Sequence, residues 1–100
     1  MAEAVAVRVL ERDYLVACEP EQRPRLLEAA ALLDGRMREL RAGVRSVPPM
    51  DRLAVLAALN LASELIEARQ ALAQLEQALS RIETRLAPRI ERLLEEQRGR

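Results

Sequence analysis

Apolar and polar positions change their period along this chain, and each period predicts an element. From Ala4 to Leu10 the valines fall at alternate positions, Val5, Val7 and Val9, with Arg8 on the opposite side. That is the period of a strand with one buried face. Glu11-Arg12-Asp13 is a polar interruption, and Tyr14 to Cys18 is a second β-prone stretch that ends at Glu19-Pro20. Two short strands with a three-residue polar connection predict an antiparallel hairpin, whose turn contains neither Gly nor Asn to declare its type. A lone hairpin is marginal in water, so another element must cover its valine face.

After Pro20 and Pro24 the period lengthens. Leu26, Ala30, Leu33, Met37 and Leu40 recur at steps of four and three, which predicts a helix over residues 24–42 with one apolar stripe. Glu21 with Arg25, and Asp34 with Arg38, are i,i+4 pairs with the acid first, each worth a few tenths of a kcal/mol. Gly35 costs about 1 kcal/mol against Ala in such a helix, and close packing on a neighbouring backbone would explain it. Gly43 suits a C-terminal cap. Val44 to Met50, with Pro48-Pro49, is the connector, and Asp51 stands where an N-cap is expected.

From Arg52 to about Gln97 only Pro88 opposes a helix of about 45 residues, roughly 70 Å long. Its first part, Leu53 to Ala62, is apolar almost all round, as in a helix buried on several sides of a folded head. Within it Asn60 is expected to hydrogen-bond backbone groups of the head, because a buried amide without partners costs about 1–3 kcal/mol. From residue 65 the pattern narrows to a seam. Leu65, Leu72, Leu79, Leu86 and Leu93 lie seven apart, with Ala68, Leu75 and Ile82 three after the first three. These are coiled-coil a and d positions, interrupted at Arg89 beside Pro88, which is expected to kink or end the regular coil. The reading is α+β: a globular head over residues 1–64 and a coiled-coil stalk over 65–100.

Composition sharpens this picture. Tyr14 is the one aromatic residue, Leu and Ala supply 18 and 17 of the 100 residues, and 32% are charged, the signature of long helix or coiled coil. There is no His, hence no imidazole base and no His-ligated metal. Cys18 is the single cysteine, which permits no intramolecular disulfide or thiolate zinc site; it is expected to be a small buried apolar group. Three glycines form no phosphate loop. An enzyme and a cofactor are disfavoured. The basic residues are all Arg and the net charge is zero, which speaks against nucleic acid. No signal peptide is recognisable at Met1-Ala2-Glu3, and the longest apolar run is far short of the roughly 20 residues a membrane span needs. A soluble intracellular protein, not bound to membrane, is expected.

The seam demands a partner. Seven large side chains on one stripe represent on the order of 10–20 kcal/mol of gross burial per chain, and the head is too small to cover them. Leu65, Leu72, Leu75, Leu79, Ile82 and Leu86 are therefore the candidate oligomer seam. Glu64, Glu67 and Glu76 precede Arg81, Arg85, Arg89 and Arg92, so an antiparallel partner would set acidic against basic halves.

Several segments line up with one family. The hairpin ending in Cys18 and Pro20, Ala29-Ala30 with Leu33-Asp34-Gly35-Arg36-Met37, then Asp51-Arg52-Leu53-Ala54-Val55 and Ala58-Leu59-Asn60 resemble ZapA, the bacterial cell-division family associated with the ring of tubulin-like FtsZ. The likeness runs over residues 5–66, and the remainder resembles the family by architecture. It implies a small α/β head on a long helix, homodimers that join into homotetramers through antiparallel stalks with the interdimer contact expected mid-stalk at Leu79 and Ile82, and crosslinking or bundling of FtsZ filaments. It also implies a cytoplasmic place at the mid-cell division ring and no enzymatic activity. The chain departs from the family at Glu11, where Gly is usual in the turn, and at Pro48-Pro49.

By the same resemblance the family's filament-contacting surface carries over to Arg12, Arg41, Arg45 and Asp51. Three guanidinium groups suit an acidic filament face through bidentate bonds; a solvated loop surface, and for Asp51 a simple N-cap, are the plain alternatives. Tyr14 and Asn60 are expected to be structural, Tyr14 as a core ring with its hydroxyl at the edge. Two other classes stand beside the crosslinker: a helical chaperone or adaptor dimer that captures an amphipathic partner helix on its seam, and a small DNA-binding dimer. Glu3, Glu11 and Asp13 near the strands count against the last.

Overall fold

In a computed structural model, residues 1–99 are described. Strands β1 (Glu3–Val9) and β2 (Arg12–Cys18) form a two-stranded antiparallel sheet, followed by a 3-10 turn (Pro20–Gln22), helix α1 (Arg23–Ala42) and helix α2 (Met50–Arg98). The α+β class follows directly. The chain divides into two compact units, residues 1–62 and the helical segment from residue 63.

The hairpin turn is tighter than the polar run Glu11-Arg12-Asp13 suggests. Val9 pairs with Arg12 and Arg8 with Asp13, so Arg12 and Asp13 belong to β2 and only Leu10 and Glu11 connect the strands. Both turn residues are left-handed, with φ 47° and 68°, as a two-residue turn of the primed type requires. That conformation costs an ordinary L-residue about 1–2 kcal/mol. It is held from outside the turn. The Leu10 side chain is buried, and its N–H donates to Asp34 Oδ1 on α1 at 2.8 Å.

Val5, Val7 and Val9 are buried while Ala4, Ala6 and Arg8 are exposed, the alternation that a half-covered sheet imposes. The α1 stripe covers them. Met37 is completely buried, and Leu26, Ala30, Leu33 and Leu40 are half-buried. The core joins Val9, Leu10, Met37, Leu53 and Ala57, so the first turns of α2 complete it.

Among the local expectations three need correction and one holds. A Cβ on Gly35 would meet nothing within 4 Å, so no backbone of this chain packs against it. Gly43 does cap α1, its N–H donating to Glu39 O at 3.1 Å, but with φ −83° rather than a left-handed conformation. Helix α2 starts at Met50, two residues earlier than an Asp51 N-cap requires. Asp51 lies inside the first turn, where its charge favours the helix dipole, and the Leu53 N–H reaches Pro49 O at 3.0 Å. Finally, Pro88 does not end α2, which runs on to Arg98. The ring removes one backbone donor from the helix interior, and the turns on both sides keep helical bonding.

Candidate functional site

The hairpin turn, the last turn of α1 and the connector to α2 meet at one end of residues 1–62. Arg12 opens β2 and Arg41 lies in the last turn of α1, and the two line one groove of about 250 Å³. Glu11 lies between them on the turn, and Leu10, Val47, Pro48, Met50 and Leu53 supply apolar walls. The structure therefore brings together two of the four candidate contact residues. Arg45 is exposed in the connector, and Asp51 is exposed next to Met50; neither lines the groove.

The electrostatics of this end involve two residues that the sequence pattern did not single out for the surface. Asp34 accepts from Leu10 N–H through Oδ1 and from Arg38 Nε through Oδ2, both at 2.8 Å. The Arg38 bond first, then the Leu10 bond, holds the Asp34 carboxyl below its ordinary value. Arg38 is raised by the same partnership. Glu11 Oε1 lies 3.8 Å from Arg38 and 3.9 Å from Arg41. The i,i+4 spacing identifies the Asp34–Arg38 pair from sequence, but its reach to a turn 24 residues away depends on tertiary placement.

A second concavity of about 380 Å³ lies against the hairpin face and is almost wholly apolar, lined by Val7, Tyr14, Val16, Leu33, Met37 and Ala54 among others. Tyr14 is 43% exposed, so in the single chain it is a rim residue and not the core ring expected. Cys18 is a free thiol and half-buried. Asn60 is exposed, and the buried amide bonded to backbone is not found in the single chain. Nor is α2 buried on several sides here: Leu53 and Ala57 are buried, but Val55, Leu56 and Leu59 are exposed.

From residue 63 to 99 every described residue is exposed. Leu65, Leu72, Leu75, Leu79, Ile82 and Leu86 each retain 46–58% of their surface. Because α2 is unbroken across them, their seven-residue spacing places them along one face.

Fold and site together define a small α+β protein with an arginine-lined groove at its hairpin turn and a long helix bearing an open leucine face. Among the described residues no group of His, Cys, Asp and Glu is arranged to hold a metal, and no helix is long and apolar enough to cross a membrane. Residues 5–97 match the family described as cell division protein ZapA. A cell division protein ZapA from Pseudomonas aeruginosa is 32% identical over 93 residues, covering 93% of this chain and 88% of that protein. One from Cronobacter sakazakii is 35% identical over 82 residues, covering 78% and 74%. A solved structure of an unknown conserved bacterial protein from Pseudomonas aeruginosa superposes with a TM-score of 0.66 at 34% identity, covering 89% of this chain and 97% of that one. The chain belongs to the ZapA family of cell division proteins.

Proposed function

We propose that the chain is a non-enzymatic crosslinker of FtsZ filaments in the cytoplasm at the division ring, built as a homotetramer from dimers. Residues 1–64 act as the filament-binding head and residues 65–100 as the coiled-coil stalk. The observation that carries the reading is the uncovered seam from Leu65 to Leu86 on one unbroken helix, which calls for other copies of the same chain. The exposed Val55, Leu56 and Leu59 add a second surface for dimer contact beside the head. Copies joined through stalks carry several heads, and several weak heads bind a filament array with avidity that no single head has.

The filament contact is assigned to Arg12, Arg41, Arg45 and Asp51, with the groove shared by Arg12 and Arg41 as its centre. Nucleic acid and membrane are not partners in this reading. The test is co-sedimentation with assembled FtsZ, paired with sedimentation velocity of the same preparations. Wild-type protein is expected to pellet with filaments and bundle them, while Arg41→Glu stays in the supernatant as an intact tetramer. Equal pelleting of Arg41→Glu and wild type would remove Arg41 from the contact. A seam left open for a client helix, visible as a chain that does not self-associate, would favour the adaptor reading.

A further inference from the structure

We propose that Glu11 is a built-in competitor for the partner's carboxylate, so that it sets the strength and salt dependence of filament binding. The inference rests on the proposed filament contact and concerns how that contact is tuned. Three observations converge on Glu11. First, it occupies a left-handed turn position, φ 68°, where an ordinary side chain is disfavoured and glycine would sit without cost. Retained strain of this kind marks a side chain with a task. Second, its Oε1 lies between two guanidinium groups, 3.8 Å from Arg38 and 3.9 Å from Arg41. That is the place an incoming carboxylate would take to bridge the same two cations. Third, it lines the groove between Arg12 and Arg41, so an acidic group of the partner entering there meets a like charge.

Both ion pairs are long and Glu11 is largely exposed, so they contribute little to folding. Their effect falls on binding. In the free protein Glu11 partly neutralises Arg38 and Arg41. In the complex it must swing aside or repel the partner's acid. In the free chain Arg38 is already bonded to Asp34 at 2.8 Å, so Arg41 is the cation that Glu11 would release.

The experiment is FtsZ co-sedimentation as a function of protein concentration at low and high salt, with full-length wild type, Glu11→Gln and Glu3→Gln. Glu3→Gln makes the same change of net charge at the far end of the hairpin, where Glu3 pairs with Cys18. Glu11→Gln is expected to tighten apparent binding about two- to fivefold at low salt, the scale of exposed charge pairs. The gain should shrink as salt screens it, with the thermal midpoint unchanged. Glu3→Gln is expected to bind as wild type. Unchanged or weaker binding by Glu11→Gln, or equal tightening by Glu3→Gln, would overturn the proposal while leaving the filament contact in place. Failure of wild type to pellet with filaments would overturn both.

Discussion

Val5, Val7, Val9, Leu10, Met37, Leu53 and Ala57 are hidden within residues 1–62, whereas Leu65, Leu72, Leu75, Leu79, Ile82 and Leu86 stand half in water on the helix beyond. The two regions use similar side chains. They differ in what becomes of those side chains: a hairpin, a second helix and a buried methionine enclose them in the first, and in the second they stay exposed. Periodicity alone does not separate these cases, since both helices have apolar stripes. A stripe becomes a core only when the chain supplies a second surface, and where it does not, the stripe is an interface.

The largest expected effect lies on the open side of this comparison. Ile82→Glu places a carboxylate in the seam of every copy, and an unpaired charge buried there costs several kcal/mol. The proposed tetramer should fall to dimer in light scattering, while the amide spectrum of residues 1–62 stays folded. Four chains per particle in the variant would move the interdimer contact away from Ile82. On the closed side, Met37→Ala empties the centre of the core and should cost about 2–5 kcal/mol, read as a lower denaturant midpoint with hairpin amides lost first.

Between these lies Asp34, which ties the hairpin turn to α1. Its carboxyl titrates lower in the folded protein than in the unfolded chain, so its contribution is complete above the ordinary carboxyl value and lost as pH falls through the lowered one. Asp34→Asn should lower the thermal midpoint at pH 7 and flatten the acid limb of the stability profile. An acid limb identical to wild type would mean that the bond to Leu10 does not depend on the charge. The smallest effect is at Gly35. With open space where a Cβ would stand, Gly35→Ala should stabilise α1 by up to about 1 kcal/mol, measured by thermal unfolding. A loss instead would reveal a second copy packed against that turn and blur the line between closed and open regions.

Elements whose determinants are local were legible from the residues alone. The alternating valines give β1, and Leu26, Ala30, Leu33, Met37 and Leu40 give the core-facing stripe of α1 because each spacing is its own geometric cause. The turn was not legible, since Leu10 and Glu11 are left-handed only because Asp34 and the core hold them so. At Pro88 the ending of the helix is what fails: one missing donor weakens a helix without ending it when good helix formers continue on both sides. The four candidate contact residues come from the family resemblance, whereas the groove that Arg12 and Arg41 share with Glu11 comes from tertiary placement. Asn60 and Tyr14 were expected inside. A single chain leaves both exposed, as it does Val55, Leu56 and Leu59 around Asn60.

Self-association of the chain can be measured directly, by sedimentation equilibrium of the purified protein at micromolar concentration without FtsZ. The open leucine face predicts self-association, and the proposed assembly predicts a species of four chains that dissociates to dimers on dilution. A folded monomer with its helix intact across residues 65–86 would contradict it, because that chain would be holding its seam in water at no cost.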